Sequence, residues 1–585
     1  MADARSNITV TLPQRSRSGP GAAEVTFVCV SSLIFALLFC YPLIRHMLEA
    51  GVGGDWDFFW QDRSVQYYAV RHLWQFPFWN PYLCGGVPLF ADTQTSVLTP
   101  FFLLELIAGP IAGVHLEIVL HLAIAWAGGY VLARVLGLSP IGAFAAASFF
   151  PASSWYYLHL APGHLSMLPA VYLPWIAALT CMSIKRRKFT PAALAGLLVA
   201  LTLFEGGPYI TTQAALLAGF IAVTVAVSER SLWPLLTLLT VGVFSAGFAA
   251  IKALPAEQYM RAFPDMNRTQ EWNDAYTMFV AFFSRNQDYA RASLGRWRFH
   301  EDGAYVGWFC VSLALLGMVS RGQRKLPWMI ALLGFLLLTL GDYGLVVTPA
   351  SLLQRLPFFS WQRVASRQFV SAVLCVAVLS GFGVDFLRQQ FGRAGLVLGG
   401  LLIAAGVFDQ WLVGPPNLHY AVEAQEPAIA PSPQFRHFWP GARRCFPLPE
   451  ANIGTLSCED FMPALPGAEF GFNESSYRGE QYLDGAGTVQ VTEWTPNVLG
   501  YDVDLLGPAS LIINQRYDPS WQLVQGAGRI FPSNGLIAVA LPGGRHHLKL
   551  AYRSTSFVLG AIVTALSFLV MLALWGFERK YPQRN

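Results

Sequence analysis

Charge is scarce in this chain. Asp, Glu, Lys and Arg make up 13% of its 585 residues, against about 25% in a soluble domain. The net charge of +4 is small and scattered, which excludes a nucleic-acid binder. The eight cysteines include no C-x-x-C and no metal-spaced cluster, so neither a thioredoxin-like motif nor a zinc site is written in them. Internal repeats are missing, which argues against a carrier with its site at the midplane between repeated halves. The first apolar run, 25–44, has no small-residue cleavage site after it, so it reads as a retained anchor. What fills the chain is apolar sequence: 54% hydrophobic residues and a mean hydropathy of +0.43 predict a polytopic α-helical membrane protein.

A spanning helix needs about 20 apolar residues. Twelve segments come near that: 25–44, 113–134, 139–153, 165–184, 189–204, 207–228, 232–254, 303–320, 326–341, 367–388, 394–414 and 557–577. With twelve crossings, Arg134, Lys185 to Lys188, Arg230, Arg321, Arg324, Lys325, Arg388, Arg393, Arg579 and Lys580 share one face, which the positive-inside rule makes cytoplasmic. Both termini join it, the polar stretch 1–24 as a disordered cytoplasmic tail. The long polar segments 45–112, 255–302, 342–366 and 415–556 then lie outside. Within 415–556 a Pro-rich opening leads into short alternating runs, 488–494, 500–506, 510–515, 521–525, 536–541 and 547–552, separated by Gly, Pro and Asn-Gly turns. That pattern predicts a small antiparallel β-sandwich leading into a final membrane helix within 557–585. Cys445 and Cys458, in the same outer region, are a candidate disulfide.

The richest stretch is 53–100, GGDWDFFWQDRSVQYYAVRHLWQFPFWNPYLCGGVPLFADTQTSVLTP. Asp55 and Asp57 form a D-x-D. In an extended segment both carboxylates face one way, able to hold a divalent cation such as Mg or Mn or to act as a base toward a hydroxyl. The plainer reading is two solvated loop acids. Trp56, Trp60, Trp79, Asn80, Tyr82, Asp92, Gln94 and, further on, Glu205 are candidate contacts for a sugar or a lipid, against the plainer reading of an interfacial aromatic belt. His159 and His164 sit at the outer mouth of two helices, where His164 is a candidate phosphate contact and His159 an interfacial residue satisfied by backbone. Glu205, in an outer turn, either needs a partner or caps the helix beginning near Pro208. Arg363 and Arg367 stand where basic residues are otherwise few, and arginine grips phosphate with two parallel bonds. The alternative is snorkelling to ordinary headgroups. The other outer-loop arginines, Arg261, Arg268, Arg285, Arg291 and Arg296, read as a solvated surface.

DWDFFWQDRSVQYYAVRHLWQFPFWNPYLCGGVPLFADTQ resembles the first outer loop of YfhO-like bacterial membrane proteins, with its acid followed by a WNPY–GG–P element. The likeness continues in GHLSMLPAVYLPW, LPFFSWQRVASRQF and INQRYDPSWQLVQGAGRI. It implies the GT-C class of integral membrane glycosyltransferases: a GT-C-like domain over 25–414 in the bacterial inner membrane and a β-rich domain over 415–556. It further implies a polyprenyl-phosphate-linked sugar donor and an envelope glycan, glycolipid or protein as acceptor, with sugar transferred on the extracytoplasmic side. The family's first-loop acid maps to Asp55, with Asp57 second. Single-step displacement with inversion is expected, with Asp55 or Asp57 as base and Arg363, Arg367 and His164 at the donor phosphate. The competing readings are a transporter or flippase for a lipid-linked saccharide and a non-catalytic assembly subunit.

Overall fold

A computed structural model describes residues 21–51, 53–261, 271–293, 297–342, 347–356, 359–360, 362–422, 431–438, 448–458 and 470–581. The tail 1–20 and Cys445 lie outside these residues.

The apolar runs are helices, since helical backbone satisfies its own polar groups away from water. Among the described residues, eight helical spans are long and apolar enough to cross a membrane: Ala22–Phe39, Pro110–Val135, Leu165–Arg186, Pro208–Glu229, Trp233–Arg261, Phe299–Val319, Ala365–Ala421 and Thr555–Lys580. Phe189–Phe204 and Leu326–Thr339 are shorter apolar helices. The expected segments 367–388 and 394–414 run as one 43-residue element, Phe369–Trp411. It is broken at Gly392, whose φ of 58° and ψ of −125° no other residue adopts cheaply. The expected segment 139–153 is a 13-residue helix, Pro140–Ala152, with Pro151 in its last turn. Thr555–Lys580 buries only Gly560, leaving a face of Leu, Val and Phe suited to lipid.

Two groups of contacts mark the ends of the bundle. At one end Arg134 pairs with Glu24, Ser139 donates its backbone N–H to Asp385 at 2.8 Å, and the N–H groups of Phe189 and Thr190 point at Glu578. At the other end the stretch 53–109 packs over the bundle. There Trp56–Arg71 is a helix with twelve buried residues, enclosed on all sides from Trp56 to Gln66. Arg63 is fixed between Glu105 and Glu117, all three fully enclosed. The Lys252 ammonium donates to the carbonyls of Phe90, Asp92 and Thr95.

The C-terminal part is two four-stranded antiparallel sheets. One runs, in spatial order, Arg529–Ser533, Leu536–Leu541, Ala509–Arg516, Gln481–Asp484. The other runs Gly487–Thr495, Val498–Leu505, Gly544–Tyr552, Trp521–Gln525. Alternation sets the core: Leu499, Tyr501, Val503 and Leu505 point inward beside Leu511, Ile513, Ile537, Val539, Leu548 and Leu550. Trp79 inserts into this core from the first stretch. Full burial of such a ring contributes about 3 kcal/mol.

The cysteine pairing differs from expectation. Cys458 bonds Cys84, with Cα atoms 4.5 Å apart. Cys84 stands in the turn of a short hairpin, Trp79–Asn80 against Val87–Pro88, and the N–H groups of Cys84 and Gly85 bond the carbonyls of Ser457 and Thr455. Register across that seam, rather than closeness in sequence, selects the partner.

Candidate functional site

The site forms where four separate segments meet at the covered end of the bundle. Backbone places the first of them. The N–H groups of Asp55 and Trp56 both donate to the carbonyl of Pro162, at 2.8 and 3.1 Å. Gly163, with φ of 98°, lies so close that a Cβ would sit 2.5 Å from the Trp56 nitrogen. Asp55 is the residue before the helix Trp56–Arg71, yet its carboxylate makes no capping bond. It stays half exposed, and its Oδ2 lies 3.3 Å from His164 Nε2.

Behind His164 the site is closed and polar. His164 Nδ1 faces His159 Nδ1 at 3.0 Å, one ring nitrogen donating to the other. Burial holds His159 well below the usual imidazole range, which keeps it neutral. Glu301 lies 3.9 Å from both Nδ1 atoms. Arg367 grips Glu301 with both arms of its fork, Nε donating to Oε2 at 2.9 Å and Nη2 to Oε1. Its guanidinium lies over the Tyr209 ring, 4.5 Å from the centroid. The result is a chain Asp55–His164–Glu301–Arg367 that leads from an exposed carboxylate to a buried ion pair.

Of the expected residues, Asp55, His164 and Arg367 come together. Arg363 stands four residues before Arg367 with an exposed side chain. Its backbone does the local work, its N–H donating to the Tyr209 hydroxyl at 3.1 Å and its carbonyl accepting from Glu271. Asp57 turns the other way. It is buried and accepts the Gly53 N–H at 2.9 Å, because the segment is helical from Trp56 and residues two apart on a helix diverge. The extended D-x-D pair expected to hold a cation is therefore absent.

Most of the expected sugar contacts are structural. Trp56 and Trp60 are fully buried and stacked at 5.0 Å, donating to the carbonyls of Ala161 and Gly51. The Asn80 side chain accepts the Tyr82 N–H, and Tyr82 packs edge-on to Phe435 and Trp494. Asp92 accepts the N–H of Gln94, whose carbonyl leaves room at Gly206 for no side chain. Glu205 is buried and does have partners, accepting from Tyr172 at 2.6 Å and facing His121 Nε2 at 2.8 Å. The buried polar groups of Trp56, Trp60, Asn80, Asp92 and Glu205 are thus bonded within the protein, as burial requires. Trp79 keeps one edge on a cavity.

Glu301 is the site residue that sequence reading passed over. The signal was the F-H-E-D run just before an apolar segment, where a carboxylate must find a partner. For a cation, the ligand atoms of His159, His164 and Glu301 lie within 4.8 Å of one another, a nitrogen-and-carboxylate set suited to a transition metal. Asp55 adjoins it through His164. The charge of Arg367, however, already neutralises Glu301, so the fit is partial and no chemical step is drawn through a metal.

The fold and site thus define a multi-pass membrane protein with a strand-rich C-terminal domain and an ionisable cluster at one end of its helices. No protein-family model and no curated protein matches the chain. Among solved structures it is similar to the archaeal oligosaccharyltransferase AglB from Archaeoglobus fulgidus, in complex with an inhibitory peptide and a dolichol-phosphate. The identity is 12% and the TM-score 0.44, over 76% of this chain and 65% of that one. It is also similar to the arabinofuranosyltransferase AftD from Mycobacteria, at 14% identity and TM-score 0.42, over 92% of this chain and 42% of that one. The chain therefore spans less than two thirds of either.

Proposed function

We propose that the chain is a GT-C-type glycosyltransferase that moves a sugar from a polyprenyl-phosphate donor to a cell-envelope acceptor on the extracytoplasmic face. The observation that carries this reading is Asp55. It is a half-exposed carboxylate backed by a histidine and a buried ion pair drawn from distant segments. Asp55 takes the proton of the acceptor hydroxyl as that oxygen bonds the anomeric carbon. The bond from the anomeric carbon to the phosphate oxygen breaks, its electron pair leaving with the lipid phosphate. One displacement inverts the centre. His164 orients Asp55, and the Glu301–Arg367 pair fixes His164. Arg363, whose side chain is exposed beside this cluster, meets the phosphate as its charge grows.

In this reading the end of the bundle that carries Asp55 lies outside the cytoplasm, with the basic residues Arg134, Arg388 and Lys580 toward the inside. A disulfide between Cys84 and Cys458 fits an oxidising compartment. A flippase would need a charged path through the helices. The buried ionic groups Arg63, Glu105 and Glu117 are instead closed on one another.

The test is transfer from a synthetic polyprenyl-phosphate sugar by purified protein. Asp55→Asn is expected to lower the rate about 100-fold or more, the usual contribution of a general base. Arg363→Gln is expected to weaken donor use. Wild-type rates in the Asp55 variant would overturn the proposal.

A further inference from the structure

A second place on the same end of the molecule is built to bind something. A cavity of about 310 Å³ opens between the first stretch, the end of helix Trp233–Arg261 and the C-terminal domain. That volume is at the small end of ligand sites, roughly 300–1,000 Å³. Its walls include Trp79, Tyr259, Arg516, Asp518, Ser520 and Tyr552. None of them belongs to the Asp55 cluster.

The chemistry of the walls narrows the occupant. Arg516 and Asp518 bring one positive and one negative group, so their formal charges cancel and neither a phosphate nor a cation is selected. Ser520, Ser554 and Ser556 line the same space; the Ser554 and Ser556 hydroxyls bond each other at 3.0 Å, and a hydroxyl can both donate and accept. Trp79 and Tyr552, 5.3 Å apart and inclined by 34°, are packed into the domain core and border the cavity at their edges. Apolar ring edges beside polar side chains of both charge signs match a neutral polyhydroxylated ring.

The cavity is also held in shape. Trp79 Nε1 donates to Gln515 at 2.9 Å. The Arg516 N–H bonds the Gly85 carbonyl at 2.9 Å, and its guanidinium reaches Cys458 Sγ at 3.4 Å. The Cys84–Cys458 disulfide thus forms part of the frame. At Gly86 an added Cβ would come within 2.6 Å of the Trp79 ring. A preformed site loses little entropy when it fills.

We propose that this cavity is a docking subsite for one neutral sugar unit of the acceptor glycan, apart from the reacting centre, an inference that rests on the glycosyltransferase reading for the word acceptor. It assigns the seam between the C-terminal domain and the first stretch a role in choosing what is glycosylated.

The test uses the full chain in detergent and ligand-observed saturation-transfer NMR with neutral disaccharides of glucose, mannose, galactose and arabinose. Wild type and Asp55→Asn should both bind at least one of them. Arg516→Gln and Asp518→Asn should weaken that binding tenfold or more, and Ser520→Ala should weaken it less while unfolding at the wild-type temperature. Inorganic phosphate should not compete. Binding of no panel sugar, equal binding by Arg516→Gln and Asp518→Asn, or displacement by phosphate would each overturn the subsite. Loss of sugar binding on Asp518→Asn together with undiminished transfer by Asp55→Asn would keep the subsite and remove the catalytic reading.

Discussion

Arg367 and Glu301 offer the sharpest quantitative test of the site. Their side chains are 16% and 5% exposed, and two charge-assisted bonds join them. Each such bond contributes about 1.5–3 kcal/mol, and removing one partner strands the other charge in a poorly solvated place. Glu301→Gln and Arg367→Gln should therefore each cost ~3–5 kcal/mol. The double variant holds two neutral amides and no stranded charge, so its cost should fall short of the sum by ~2–3 kcal/mol. Arg367→Lys should rescue little, because an ammonium cannot reproduce the two-armed grip or lie flat over Tyr209. The assay is reversible unfolding in detergent across the four proteins. Costs that add to within ~0.5 kcal/mol would mean that the two residues act independently, and the chain of contacts from Asp55 inward would lose its anchor.

Two further outcomes are expected. Burial, and next the nearby Asp92 charge, push the Asp62 carboxyl up to about 8 from 3.8. Between those values the folded protein holds a proton that the unfolded chain releases, so this group makes stability fall as pH rises, by up to about 1.4 kcal/mol per pH unit. Asp62→Asn, which imitates the protonated acid, should flatten the pH dependence of unfolding between pH 5 and 7, and an unchanged slope would refute the assignment. Gly163→Ala places a methyl against the Trp56 backbone at a φ of 98°. It should cost ~1–3 kcal/mol and displace Asp55, seen as loss of transfer together with a lower unfolding temperature.

Much of the architecture was legible because bilayer physics writes it in composition. Apolar runs became helices, and alternation between 488 and 552 gave strands close to those observed. Two strands of the paired four-stranded sheets were missed, Gln481–Asp484 and Arg529–Ser533, both short and poorly alternating, as were the shorter strands Trp79–Asn80, Val87–Pro88, Arg436–Phe438 and Ile453–Thr455. The site was harder to read. Asp55, His164 and Arg367 stood out as charged residues at helix ends. Glu301 did not, because its meaning depends on a partner 66 residues away. Trp56, Trp60 and Tyr82 looked like ligand contacts because composition reports an aromatic cluster without saying whether it faces inward. In the WNPY element Trp79 plugs the first stretch into the β-domain, while Asn80 accepts the Tyr82 N–H within that stretch.

The bond between Cys84 and Cys458 joins positions 374 residues apart. At roughly 5–20 residues per second of synthesis, on the order of 20–75 seconds separates the appearance of one thiol from that of the other. With the proposed sidedness, the first must wait outside the cell's reducing interior, unpaired, while most of the membrane domain is still being inserted. A newborn chain is therefore exposed to the wrong oxidant or the wrong neighbour during that interval, and its safe maturation depends on how fast its last third is delivered.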